Sequence, residues 1–316
     1  MVRTLLLALF PGALGDLLCC WPALAGLRAE GAGLTLAARD AWLAVLPEDE
    51  LTPLSIERPE VADLFRSGPL GDCTRSLFGR FARIESWTGH GDRHFTRRLR
   101  EASGGAAVAV HPFRALRRGE HAASYYARCA GIGAVPRRVP IRAAAAEWSA
   151  ALWERHGLER ETLVIHAGSG GAPKNWTGMA QVAAGWRARA GPVIAVGGPA
   201  EGHIERAIPH DVAVWNEPLD RVAAVLARGA RYLGNDSGIS HLAGSVGARG
   251  VALFASTDPV AWRPLGDGIR VLHAPAPCRR CGPNRFCTHR LRVDEVLAAL
   301  RDLRDAAPPP PGAVGG

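Results

Sequence analysis

The stretch Leu163-Val-Ile-His-Ala-Gly-Ser-Gly-Gly-Ala-Pro-Lys-Asn-Trp176 runs from an apolar triplet into a glycine-rich turn. Leu163–Ile165 is short, largely β-branched and followed at once by turn residues, which reads as a buried strand. Short β-like runs recur at Leu34–Ala38, Val108–Val110, Val193–Val196, Tyr232–Leu233 and Val251–Phe254, each followed by a turn and a helical stretch. Strands alternating with helices imply βαβ units and a parallel sheet covered on both faces. The rhythm is clearer in the second half of the chain. Ala143–Leu158 reads as a helix leading into Leu163, which puts the join between two units near residues 140–160. A length of 316 residues also favours two domains. The expected division is an N-terminal unit over residues 1–150 and a C-terminal unit over 151–305. Ala306–Gly316, with four consecutive prolines, cannot bury a core and is expected to be disordered.

Three turns could carry chemistry. In open α/β sheets, ligands bind outside the carboxyl ends of the strands. Gly168, Gly170 and Gly171 would expose N–H groups suited to phosphate oxygens there, with the Ser169 hydroxyl and the Lys174 ammonium beside them. This is not a P-loop, because Lys174 follows Pro173 and precedes Asn175. Lys174 is the only lysine in a chain that otherwise uses arginine. A compact ammonium differs from a planar guanidinium at a crowded phosphate site, so the exception favours function over a surface lysine. A second turn, Gly234-Asn-Asp236-Ser237-Gly238, leads into a helix carrying His241 one turn in. Free N–H groups at that helix start suit a diphosphate; the bland alternative is a capping Asp or Ser and a core histidine. The third turn is Gly12-Ala-Leu-Gly15-Asp16, after an apolar run from Val2 to Phe10. Asp16 there can act as general base, although the turn alone favours a helix-start acid complementing the helix dipole.

The 38 basic and 30 acidic residues leave a charge of +8. That excess suggests anionic partners such as phosphorylated substrates, anionic lipid or nucleic acid, but no nucleic-acid recognition motif accompanies it. No run is apolar and long enough for a spanning helix. Met1–Phe10 with Ala23-Leu-Ala25 imitates a signal peptide. Pro11, Gly12, Gly15 and Asp16 interrupt the apolar region, so strand, turn and helix is the better reading and the cytoplasm the expected location.

Together these segments resemble glycosyltransferase family 9, the ADP-heptose:lipopolysaccharide heptosyltransferases and their relatives. Gly12–Asp16 is similar to the family's N-terminal Gly-Asp turn, His166–Trp176 to its His-x-Gly-Ser…Lys-x-Trp loop, and Gly234–Ala243 to its Gly-x-Asp-Thr/Ser-Gly…His-Leu-Ala segment. Leu253–Pro259 with Trp262 and Pro264 is similar to its Phe-Gly-x-Thr-Asp-Pro run. Ala167, Ala255 and Cys19 depart from the common residues at their positions. The resemblance implies a GT-B fold: two facing Rossmann-like domains with parallel sheets, the donor on the C-terminal one and the acceptor mainly on the N-terminal one. It implies an inverting transfer with no cofactor and no essential metal. Asp16 would deprotonate the acceptor hydroxyl. Lys174, Ser169 and the amides near Ser237 and Gly238 would stabilise the departing diphosphate, Asp236 would orient donor hydroxyls, and His241 would support the phosphate or sugar. Gly15 and Gly170 complete the expected donor contacts. The implied partners are a nucleotide-sugar and a glycolipid or glycan, possible peripheral contact with the inner membrane, and no nucleic acid. A relative with another donor and a catalytically silent sugar-nucleotide binder are the competing readings.

Seven cysteines are too few and too irregular for a disulfide framework. Cys278, Cys281, Cys287 and His289 offer ligands at short spacing, as a structural zinc requires. A second Cys-x-x-Cys pair is missing, so free cysteines without metal are the expectation and zinc the lesser alternative.

Overall fold

The computed structural model describes residues 5–31, 33–135, 137–158, 161–171, 174–201, 207–274, 278–280 and 287–303. The first half runs β1 (Leu5–Leu9), α1 (Leu14–Ala29), β2 (Gly33–Ala38), α2 (Asp40–Leu43), β3 (Thr52–Ser55), α3 (Pro59–Asp63), α4 (Asp72–Phe78), β4 (Arg83–Ser86), α5 (Arg93–Ser103), β5 (Ala107–Val110) and α6 (Ala122–Ala130). The second runs α7 (Ala143–Arg155), β6 (Leu163–His166), α8 (Met179–Arg189), β7 (Val193–Gly197), a 3₁₀ turn (Pro199–Glu201), β8 (Val212–Trp215), α9 (Leu219–Arg228), β9 (Arg231–Asn235), α10 (Gly238–Ser245), β10 (Gly250–Leu253), α11 (Pro259–Trp262), β11 (Ile269–Leu272) and α12 (Val293–Asp302).

The strands form two parallel sheets, ordered β3-β2-β1-β4-β5 and β11-β10-β9-β6-β7-β8. Each begins at a central strand, runs outward to one edge, then returns to the centre and runs to the other. Each sheet therefore has one switch point, between β1 and β4 in the first and between β6 and β9 in the second. That is where an open sheet leaves a crevice at its carboxyl edge.

Four strands escaped the sequence pattern, for physical reasons. β3, β8 and β11 are edge strands and only partly buried; an edge also tolerates Pro53, which lacks a ladder donor. β4 reads as polar, yet Glu85 is buried because Arg83 Nε and the His111 ring both bond its carboxylate. The described part of the signal-peptide-like region, from Leu6 onward, belongs largely to the interior. Leu14–Leu27 is almost wholly buried, since α1 packs on α6 on one side and on α10 of the second sheet on the other. A helix enclosed in this way is apolar all round. α7 lies across the expected join and packs on α9, where Arg221 and Arg228 sit over the Trp148 and Trp153 rings. One apolar cluster runs through both sheets, from Leu6 and Leu17 to Leu242 and Phe254. No helix among the described residues is long and apolar enough to cross a membrane. The tail from 306 onward lies outside the described residues.

Candidate active site

At the switch point of the second sheet, the turns after β6 and β9 are fastened to each other. Asn235 Nδ2 donates to the Ala167 carbonyl at 2.7 Å, and its Oδ1 accepts the Trp176 N–H at 3.1 Å. This pins both ends of the loop that carries Lys174. The lysine Nζ then donates to Asp236 Oδ2 at 2.5 Å. Asp236 is buried and Lys174 partly open to solvent, so the pair presents its ammonium outward. Ser237 caps α10 by accepting the Ser240 N–H, and Gly238 and Ile239 open the helix. First-turn N–H groups have no intrahelical partner and suit an anion. His166 stands behind them, 3.3 Å from Ser237 Oγ and 3.3 Å from Glu201 Oε2. The Glu201 carboxylate fills the space beside Gly168, where a Cβ would fall 1.4 Å from its Oε1.

Asp16 lies in the first turn of α1, beside the switch point of the first sheet. Its Oδ2 accepts the Ala13 N–H at 3.2 Å, so it does serve the helix start. It is also gripped by Arg114, whose Nε donates to Oδ1 at 2.9 Å and Nη2 to Oδ2 at 2.7 Å. Asp16 is only 5% exposed, and that bond holds the Arg114 guanidinium more firmly charged than usual. Arg114 itself stacks over Phe113 and over Trp262 of the second half, at 4.9 and 5.2 Å from the ring centroids. Beside Asp16 the Tyr126 phenol is buried; burial first, and then the Asp16 charge, keep it protonated.

The two edges meet through α1 and α10. A Cβ on Gly15 would fall 2.9 Å from His241 Cδ2, and one on Gly238 would fall 3.0 Å from Leu14 Cβ. Small residues are needed on both helices for this approach. Cys19 Sγ lies 3.6 Å from His241 Nδ1. Burial pushes the His241 pKa down to about 4, so the ring is neutral at physiological pH. The same burial, followed by the Asp16 and Asp236 carboxylates, pushes the Cys19 thiol up.

Asp16, Gly15, Lys174, Asp236, Ser237, Gly238 and His241 thus gather at facing sheet edges. Ser169 is turned onto its own loop, 2.7 Å from Asn175 Oδ1 and 2.8 Å from the Gly171 carbonyl, while Gly170 faces open space. Arg114, Asn235 and Glu201 carried no signal in the sequence, since one arginine among many announces nothing. Trp262 was part of the resemblance without a role. Cys278, Cys287 and His289 converge, and Cys281 lies outside the described residues. Asp92 caps α5, its carboxylate accepting from the His94 and Phe95 N–H groups.

Residues 142–285 match the model of glycosyltransferase family 9 (heptosyltransferase). Residues 142–285 form a glycosyltransferase family 9 domain, just under half of the chain. No curated protein matches the chain in sequence. Among solved structures, a glycosyl transferase family 9 protein from Veillonella parvula DSM 2008 superposes with a TM-score of 0.77 at 18% identity, covering 95% of this chain and 97% of that one. E. coli ADP-heptose lps heptosyltransferase II gives 0.73 at 16%, covering 95% and 98%. E. coli heptosyltransferase WaaC with ADP gives 0.62 at 16%, covering 94% and 99%. These likenesses establish the GT-B-type fold over nearly the whole chain, and the family 9 domain makes it a glycosyltransferase. Within that domain lie Lys174, Asp236 and His241, while Asp16 and Arg114 reach the site from outside it.

Proposed function

We propose that the chain is an inverting glycosyltransferase that moves a heptose, or a related sugar, from ADP-heptose to a lipopolysaccharide core or similar glycan. One relationship carries this reading: Asp16 and the Lys174–Asp236 pair occupy the switch points of two facing sheets, joined where Gly15 meets His241. The donor diphosphate lies against Lys174 and the first-turn amides of α10, where positive charge faces the developing anion. Lys174 turns from Asp236 towards phosphate, which frees the Asp236 carboxylate to accept from donor hydroxyls. Asp16 takes the acceptor proton as the hydroxyl oxygen bonds to the anomeric carbon and the bond from that carbon to the diphosphate breaks. Arg114 holds the carboxylate in place and must yield one oxygen for the proton. Lysine and backbone amides supply the cationic stabilisation that other transferases take from a divalent ion. The arginine surplus suits a phosphorylated acceptor at an anionic inner-membrane surface reached from the cytoplasm.

The test measures nucleoside diphosphate release from ADP-, UDP- and GDP-sugars with extracted lipopolysaccharide core, for wild type and Asp16→Ala. Acceptor-dependent ADP release from ADP-heptose, lost in the variant, supports the reading. Turnover of a different donor keeps the mechanism and changes the substrate. Donor binding without turnover by any acceptor favours a silent binder, and absence of binding overturns the proposal.

A further inference from the structure

β11 and α12 are joined by residues 273–292, of which 273, 274, 278–280 and 287–292 are described. An isolated antiparallel bridge joins Ala274 to Cys287, with the Ala274 N–H donating to the Cys287 carbonyl at 2.8 Å. Among the described residues here, Ala274, Cys278 and Cys287 form a buried cluster with Leu291 packed against it.

The side chains that meet inside it are metal-ligand types. One ligand atom from each of Cys278, Cys287 and His289 lies within 4.8 Å of the others. The two cysteines are buried, His289 is exposed, and Cys278 Sγ is 3.9 Å from His289 Nδ1. Ligand atoms around a tetrahedral zinc stand about 3.5 Å apart, as bond lengths of roughly 2.3 Å to sulfur and 2.0 Å to nitrogen require. A small rotation of the exposed imidazole covers the difference.

We propose that Cys278, Cys287 and His289 hold one zinc ion. Both thiols lose their protons to solvent on binding, and the neutral imidazole donates through Nδ1. Two thiolates and an imidazole form a soft set that prefers zinc to magnesium or calcium. The ion is structural: it cross-links Cys278 to Cys287 and His289. The chemistry proposed for Asp16 and Lys174 does not use it, so the two readings fail separately.

The experiment measures metal content of the reduced, full-length protein by elemental analysis, then titrates the chelator-stripped protein with cobalt(II) alone. Expected are about one zinc per chain, and the thiolate-to-cobalt charge-transfer and tetrahedral d–d bands on titration. His289→Ala, at an exposed position, should keep the circular dichroism of wild type and weaken cobalt binding at least tenfold. Cys287→Ser should do the same or more, and Cys73→Ser on α4, whose cysteine is exposed, should bind as wild type does. Less than a tenth of an equivalent of any transition metal together with no cobalt bands overturns the proposal. So does undiminished cobalt binding in both site variants. One equivalent of iron in place of zinc overturns the identity of the ion.

Discussion

Arg114 holds both carboxylate oxygens of Asp16, at 2.9 and 2.7 Å, while its guanidinium lies against the rings of Phe113 and Trp262. The candidate base of one sheet is therefore aimed by an arginine that an aromatic side chain of the other sheet steadies. A planar fork can do this and an ammonium cannot. Arg114→Lys should thus lower kcat by about tenfold or more through lost alignment, with donor KM unchanged, because the residue lies on the acceptor side. The pair is half open on the arginine side, so stability should change by no more than about 1 kcal/mol. Steady-state kinetics with varied donor, beside a thermal melt, checks both; a change confined to donor KM would contradict it.

Lys174 is the only lysine, which permits a chemical test without mutagenesis. An amine-reactive reagent should modify one side chain and inactivate the enzyme, and ADP should slow both by occupying the site. Peptide mass mapping with and without ADP reads the result. Lys174→Ala should cost about 10²–10³ in kcat, as loss of one charge-stabilising donor does elsewhere, and Lys174→Arg should recover little of it.

The approach of α1 to α10 depends on the missing side chain of Gly15. Gly15→Ala places a methyl 2.9 Å from His241 Cδ2, which should cost about 1–3 kcal/mol as overpacking. Truncating the imidazole should relieve it: the Gly15→Ala, His241→Ala pair should be less unstable than the sum of the single variants. A denaturant double-mutant cycle measures the coupling; strict additivity would show that the helices do not meet there.

Burial keeps His241 neutral, with its pKa lowered to about 4 from the ordinary 6.5. Between these values the unfolded chain binds a proton that the folded chain does not. Stability therefore falls as pH drops from about 6.5 towards 4, by on the order of 3 kcal/mol from this group, and is unaffected by it above 6.5. Urea titrations across that window should show a shallower slope in His241→Leu than in wild type. Equal slopes would place the imidazole in a solvated setting.

The sequence by itself determined the alternation of strand, turn and helix, the three turns that carry Asp16, Lys174 and Asp236, and their resemblance to one family. These are local properties. A buried parallel strand must be apolar, a turn against a phosphate needs glycine, and a helix start needs Asp or Ser, so each leaves its mark within ten or so neighbouring residues. Tertiary structure alone decided what those turns face. Arg114 lies far along the chain from Asp16, and Trp262 farther still; neither spacing follows a rule of secondary structure. The polar strand at Arg83–Ser86 became a central strand only because Glu85 finds Arg83 and His111. The edge strands at β3, β8 and β11 were faint because one face of each meets water. His241 shows the same division: its sequence placed it one turn inside a helix, and only the packing of α1 against α10 set its ring beside Gly15 and Cys19, where burial removes its charge.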